Sequence, residues 1–186
     1  MAETLMIEAQ KSRVVLTDQE GRLAAVLSIA DIAERARLLA EARQLGNAGQ
    51  ISGARRITDS LSKTAASDAD DFADVLFARA TLAPSVLDAS LDYEKIIAEA
   101  PRSTAARASL LRLAQRALIS LDGVKALEYL QRILRDFPDD ASVAEAQYWR
   151  ARALLDAHDI TPACLANREA LAHAEAGTDE PDAARL

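Results

Sequence analysis

The stretch RDFPDDASVAEAQYWRARALLDAH, residues 135–158, contains the joint on which the fold turns. An apolar helix stops at Pro138, small and acidic residues follow, and an alanine-rich helix begins that carries the only tryptophan, Trp149. Proline lacks the N–H needed to continue a helix and pushes the residue before it out of the α region. The joint therefore closes one helix and frees the next.

The same layout recurs at a fixed step. Pro101 and Pro138 are 37 residues apart, and Ala89, Ala126 and Ala163 follow the same interval. So do Phe77, Ala114 and Ala151. Ser103 and Asp140 share it too, and both sit where an N-cap accepts a bond from the free N–H groups of the next helix. Apolar residues recur at helical spacing between these markers: Leu110, Leu113, Ala114 and Ala117 on one helix, Leu127, Leu130, Ile133 and Leu134 on the next. A fainter unit lies upstream, where Ala42 and Ala54 keep the 12-residue separation of Ala114 and Ala126, and Gly46 is placed to cap the first helix. Two helices per unit at this period define an α-solenoid, with units expected over 35–68, 70–101, 107–138 and 144–175.

The bulk properties agree. The 186 residues suit one domain and are half hydrophobic but only 4% aromatic, so the core is built from Ala, Leu, Ile and Val. Six glycines and five prolines leave few turns. A formal charge of −7 without clustered Lys or Arg excludes nucleic acid as the expected partner. No apolar run is long enough to span a membrane, so no membrane insertion is expected. The first residues, MAETLMIEAQKSR, lack the apolar stretch of a secretory signal, which leaves a cytoplasmic chain or a native leader removed upstream.

With a small residue at the eighth position, alanine at the twentieth, an aromatic or apolar residue at the twenty-fourth and proline at the thirty-second, the units resemble tetratricopeptide (TPR) repeats. Those positions are Phe77, Ala89, Tyr93 and Pro101 in the second unit, and Ala114, Ala126, Leu130 and Pro138 in the third. The fourth gives Ala151, Ala163 and Asn167 without a closing proline, and Phe77 is large where the pattern is small. The resemblance covers about three quarters of the chain. The long joint around Pro138 is similar in style to periplasmic TPR domains of bacterial cell-envelope proteins, among them the Tol–Pal-associated division coordinator and outer-membrane assembly lipoproteins. What the resemblance implies is an all-α, right-handed α-solenoid of about four TPR-like helix pairs in a periplasm or cell envelope. Residues 1–34 are expected as an N-terminal helical cap, with Thr17 and Glu20 at capping-box spacing and Asp31 as a further cap. A hairpin through VVLTDQEGRLAAVL is the alternative. Residues 35–175 form the expected solenoid and 176–186 a disordered tail or linker.

Chemistry is sparse. Asp68, Asp70, Asp71 and Asp74 lack the glycine and glutamate of a calcium loop and are expected to serve a helix N-terminus. His158 and His173, 15 residues apart on one expected helix, cannot share a metal, and Cys164 is expected as a buried thiol. No nucleophile elbow, P-loop or zinc-protease motif is present, so no enzyme, cofactor or metal is expected. In the TPR pattern the second, fifth, ninth and twelfth positions of each first helix line the concave groove. These are Ala108, Leu111, Gln115 and Leu118 in unit three and Glu145, Tyr148, Arg152 and Leu155 in unit four, with Leu39, Arg43, Asp71 and Asp74 upstream. Leu111, Gln115, Leu118, Tyr148, Arg152 and Leu155 are the expected contacts of a protein or peptide partner. Leu111 and Leu118 have a purely structural alternative, packing on a neighbouring helix. Groove-mediated homo-oligomerisation is the alternative role. Lys and Asn, which grip acidic chaperone tails in some TPR domains, are replaced here by Leu39, Arg43 and Asp74.

Overall fold

The structure, a computed structural model, describes residues 13–17, 23–64, 71–138 and 142–178. The described chain is predominantly helical, with eight helices in sequence: α1 (Ile29–Asn47), α2 (Ile51–Thr64), α3 (Phe72–Thr81), α4 (Val86–Glu99), α5 (Thr104–Ile119), α6 (Gly123–Asp136), α7 (Ser142–Asp156) and α8 (Ile160–Thr178). Within the expected units α1 packs on α2, α5 on α6 and α7 on α8, while the expected unit 70–101 holds α3 and α4 on either side of the division at residues 83 and 84. The chain divides into two compact units, residues 1–83 and 84–186.

The first unit corrects the expected helical cap. β1 (Arg13–Thr17) and β2 (Leu23–Ser28) pair antiparallel, with Val15 opposite Val26 and an irregularity between Leu16 and Thr17. Thr17 lies in a strand, and α1 begins at Ile29, so Asp31 falls inside its first turn instead of before it. Val14, Val15 and Val26 are β-branched and suit a pleated strand better than a helix.

Behind the hairpin, α1, α2 and α3 close a core of Leu39, Leu61, Val75 and Ala78, with Leu38 and Ile57 packed against it. Arg35 links all three helices. Its guanidinium donates to Asp71 Oδ2 at 2.7 Å and Thr64 Oγ1 at 2.7 Å, and lies 3.5 Å from the Leu61 carbonyl. Arg55 of α2 donates to the Leu82 carbonyl at the end of α3. Gly46 lies within the last turn of α1, where a Cβ would stand 3.2 Å from Leu82 Cδ2. The left-handed cap is Gly49 instead (φ 76°), three residues beyond the expected Gly46.

In the second unit α4 to α8 pack in chain order. Ile96, Leu110, Leu130 and Ile133 are fully buried, and Ala151, Leu154, Ala163 and Ala166 form a cluster with Leu127 against it. Ser103 caps α5, its hydroxyl accepting from the Ala106 N–H at 3.0 Å, while Asp140 lies outside the described residues. Asp122 caps α6 and Ser85 caps α4 in the same way.

The alanine series are alike in burial. Ala54, Ala89, Ala126 and Ala163 are at most 1% exposed, and Ala42, Ala114 and Ala151 are buried with them. A small side chain lets helices approach closely, and enlarging a fully buried one forces its neighbours to move. At the C-terminal end α8 runs to Thr178, past the expected boundary at 175, and the remainder of the expected tail lies outside the described residues.

Candidate interaction face

Leu111, Gln115 and Leu118 on α5 share their repeat positions with Tyr148, Arg152 and Leu155 on α7, each pair 37 residues apart. Within each helix the spacing is i, i+4, i+7, so each trio forms a single stripe. α5 and α7 are in contact, so the two stripes belong to neighbouring helices. Their exposure differs. Leu111, Gln115 and Leu118 are half-buried, whereas Tyr148, Arg152 and Leu155 are exposed.

The α7 stripe is braced from beside it. The Tyr148 and Trp149 rings meet edge to face, with centroids 5.4 Å apart at 72°. Trp149 is half-buried and its indole N–H donates to Glu145 Oε1 at 3.3 Å. Tyr148 thus stands at the surface with the tryptophan holding one edge. Arg152 Nε lies 3.6 Å from Asp156 Oδ1, a pair more than half exposed on both sides and hence weak and screened by salt. The guanidinium is available to an outside acceptor. Beneath them Gln147, nearly buried, donates to Glu169 Oε2 at 2.6 Å and fixes α7 on α8.

The upstream positions behave differently. Leu39 is a core residue, 5% exposed, and not part of an open face. Asp71 stands at the N-cap of α3 but makes no side-chain cap bond; its carboxylate is taken by Arg35. Asp74 faces Arg43 across 3.9 Å. Beside that pair lies a depression of about 430 Å³, lined by Ala42, Arg43, Gly46, Phe77, Thr81 and Leu82 among others. Sequence reasoning placed Phe77 at a helix-pairing position and missed that this half-buried residue lines an opening. The signal was its size at a position that is otherwise alanine.

The remaining chemistry-bearing residues do not converge. His158 is in the turn before α8 and not on the helix, and Cys164 is exposed, contrary to the expected buried thiol. On α8 the inward residues are Ala163, Ala166 and Ala170, and Cys164 is rotated one step away from that line. Among the described residues no group of three His, Cys, Asp or Glu side chains could hold a metal ion. No described helix is long and apolar enough to cross a membrane. Neither a family model nor a curated protein matches the chain.

Proposed function

We propose that the chain is a non-catalytic TPR-like scaffold, a right-handed α-solenoid of helix pairs that binds a protein or peptide partner in its groove. The face shared by α5 and α7 is its contact surface, with Tyr148 and Arg152 as anchors. The observation that carries this reading is the pair of stripes at identical repeat positions. One offers half-buried Leu111, Gln115 and Leu118 as a floor, and the other raises Tyr148, Arg152 and Leu155 as an exposed rim. Aromatic and Arg side chains dominate interface energies, and an apolar floor with a polar rim suits a helix or extended peptide. The bacterial cell envelope is the proposed setting, on the similarity of the Pro138 joint to periplasmic TPR domains. The non-catalytic reading rests on the lack of catalytic motifs along the sequence.

The test is affinity capture from the source cell with wild type and with Tyr148→Ala plus Arg152→Ala, after equal folding has been confirmed by circular dichroism. Loss of a specific captured protein supports the proposal. The same proteins in the same amounts would refute it.

A further inference from the structure

Away from the α5/α7 face, the second unit leaves large apolar side chains in water at one rim. Val86, Leu87 and Leu91 on the first turns of α4, and Ile119, Leu121 and Val124 around the joint of α5 and α6, are between 57% and 91% exposed. They lie at adjoining ends of α4 and α5, which pack on each other. Arg116 Nη1 donates to the Val86 carbonyl at 3.0 Å and lies 3.1 Å from Ser90 Oγ, fixing the start of α4 against the end of α5. Ile119 is one turn beyond Arg116, and Leu121 and Val124 follow through the joint. Soluble monomers rarely leave apolar patches of more than a few hundred Å² uncovered.

We propose that this rim is a homodimer interface, covered by the same rim of a second copy of the chain. Three observations select that occupant. The six residues expose on the order of 700–800 Å², close to the ~800 Å² that each partner contributes to a standard stable interface. The rim is close to neutral on a chain of formal charge −7, since Asp88, Glu94, Asp122 and Glu128 face Lys95, Arg116 and Lys125. Three of these charges are also engaged locally. Asp88 accepts from the Ser85 hydroxyl at 2.7 Å, Asp122 caps α6, and Lys125 Nζ lies 6.0 Å from the Tyr129 ring. Two copies therefore meet here with little net repulsion, and neither a strongly basic nor a strongly acidic partner gains a large attraction. Finally, the rim consists of two blocks, a ridge of Leu87 and Leu91 one turn apart and a knuckle of Ile119, Leu121 and Val124. A two-fold axis lays each ridge against the other copy's knuckle, the reciprocal pairing that a closed dimer requires.

Sedimentation velocity of the full chain from about 10 nM to about 100 µM tests this, reaching from micromolar affinities well into the tighter range open to an interface of this size. The expected result is a rise in mass from 20.0 kDa toward twice that value. Leu87→Ser combined with Leu121→Asn should weaken the association at least tenfold while preserving the helical circular dichroism signal; Asn tolerates the backbone of residue 121. Tyr148→Ala should leave the dimer intact. A wild-type chain that stays monomeric at the highest concentration overturns the proposal. So does a dimer that survives the rim substitutions, or one lost with Tyr148→Ala, which would place assembly on the α5/α7 face. A monomer that floats with phosphatidylcholine vesicles would give the rim to a lipid surface and overturn it equally.

Discussion

Leu121 and His158, 37 residues apart, hold the same left-handed backbone conformation, with φ of 60° and 62°. Gly49 holds it too, at 76°, and each of the three stands five residues before a buried alanine of the repeat series, Ala126, Ala163 and Ala54. The hydrogen bonds are also the same. The N–H of the following residue reaches back to the last turn, Gln50 to Leu45, Asp122 to Ala117 and Asp159 to Leu154, each at 2.8 Å. This is one Schellman closure used three times, and each time the next residue starts the following helix. A left-handed conformation costs an L-residue about 1–2 kcal/mol, and Leu121 is 91% exposed, so no packing within one copy repays it. Leu121→Asn and His158→Gly should each stabilise by about 0.5–1 kcal/mol, and Gly49→Ala should destabilise by about 1 kcal/mol. Urea midpoints, taken at a concentration where sedimentation finds monomer, measure all three. A drop in stability for both relief variants would show that these turns are unstrained.

The same register explains what the sequence made legible and what it hid. The alanine series could be read directly, because a buried close approach admits only a small side chain and writes itself as one residue type. The turn series could not, because Gly49, Leu121 and His158 share a backbone angle and no side-chain chemistry. In the second expected unit that position is Pro84, whose ring holds φ negative. There α3 closes instead with the Leu82 N–H on the Arg79 carbonyl at 3.1 Å, and Ser85 starts α4. The hairpin was ambiguous for a related reason. Val14 and Val15 favour a strand, while Thr17 and Glu20 imitate a helix start. On the α5/α7 face, spacing located Tyr148 and Leu111 equally well but could not tell that one is exposed and the other half-buried.

The buried alanines should be intolerant of enlargement in proportion to their closeness. Ala126→Leu adds three carbons at a position with no accessible surface and should cost about 1–3 kcal/mol. Ala114→Leu should behave alike, while Ala172→Leu, on the exposed face of α8, should stay within about 0.5 kcal/mol of wild type. Chemical denaturation of the three variants makes the comparison. Equal tolerance at Ala126 and Ala172 would mean that the helices do not approach as closely as described.

Arg35 ties the helices of the first unit together. Its side chain is 16% exposed and its 2.7 Å bond to Asp71 is charge-assisted, so Arg35→Ala should destabilise by about 1.5–3 kcal/mol. Lysine cannot reproduce the fork that reaches Asp71 and Thr64 together, so Arg35→Lys should recover less than half of that loss. The exposed Arg37, bonded to Glu34 and Glu41 along its own helix, provides the contrast: Arg37→Ala should be nearly neutral. Full rescue by lysine would reduce the Arg35 tie to a simple charge effect.

Tyr93 should give alkaline stability a distinct slope. Burial raises its pKa above the usual tyrosine value, partly opposed by Arg116, whose guanidinium lies 5.3 Å from the ring centroid, and by Arg112. The folded state therefore holds this proton more tightly than the unfolded chain. Its stabilising contribution is complete below the unfolded pKa of about 10 and is lost as pH rises through the higher folded value. Melting temperatures between pH 9 and 11 should fall more steeply for wild type than for Tyr93→Phe. Parallel curves would assign alkaline unfolding to other groups.

The tryptophan and tyrosine at the head of the α7 stripe should separate stability from recognition. Trp149 is half-buried, bonded to Glu145, and supports the neighbouring ring, so Trp149→Ala removes packing as well as a hydrogen bond. It should cost about 2–3 kcal/mol, less than the ~3–5 kcal/mol of a fully buried aromatic. Tyr148 is half exposed, and its truncation forfeits chiefly the edge-to-face contact, about 0.5–1.5 kcal/mol. Arg152→Ala breaks only the exposed pair with Asp156 and should shift stability by less than about 0.5 kcal/mol. Urea denaturation of the three single variants should therefore rank Trp149, Tyr148 and Arg152 in descending cost. A Tyr148 loss as large as that of Trp149 would make the tyrosine a structural residue. The face would then lose its proposed aromatic anchor, because a side chain spent on the fold has little surface left to give a partner.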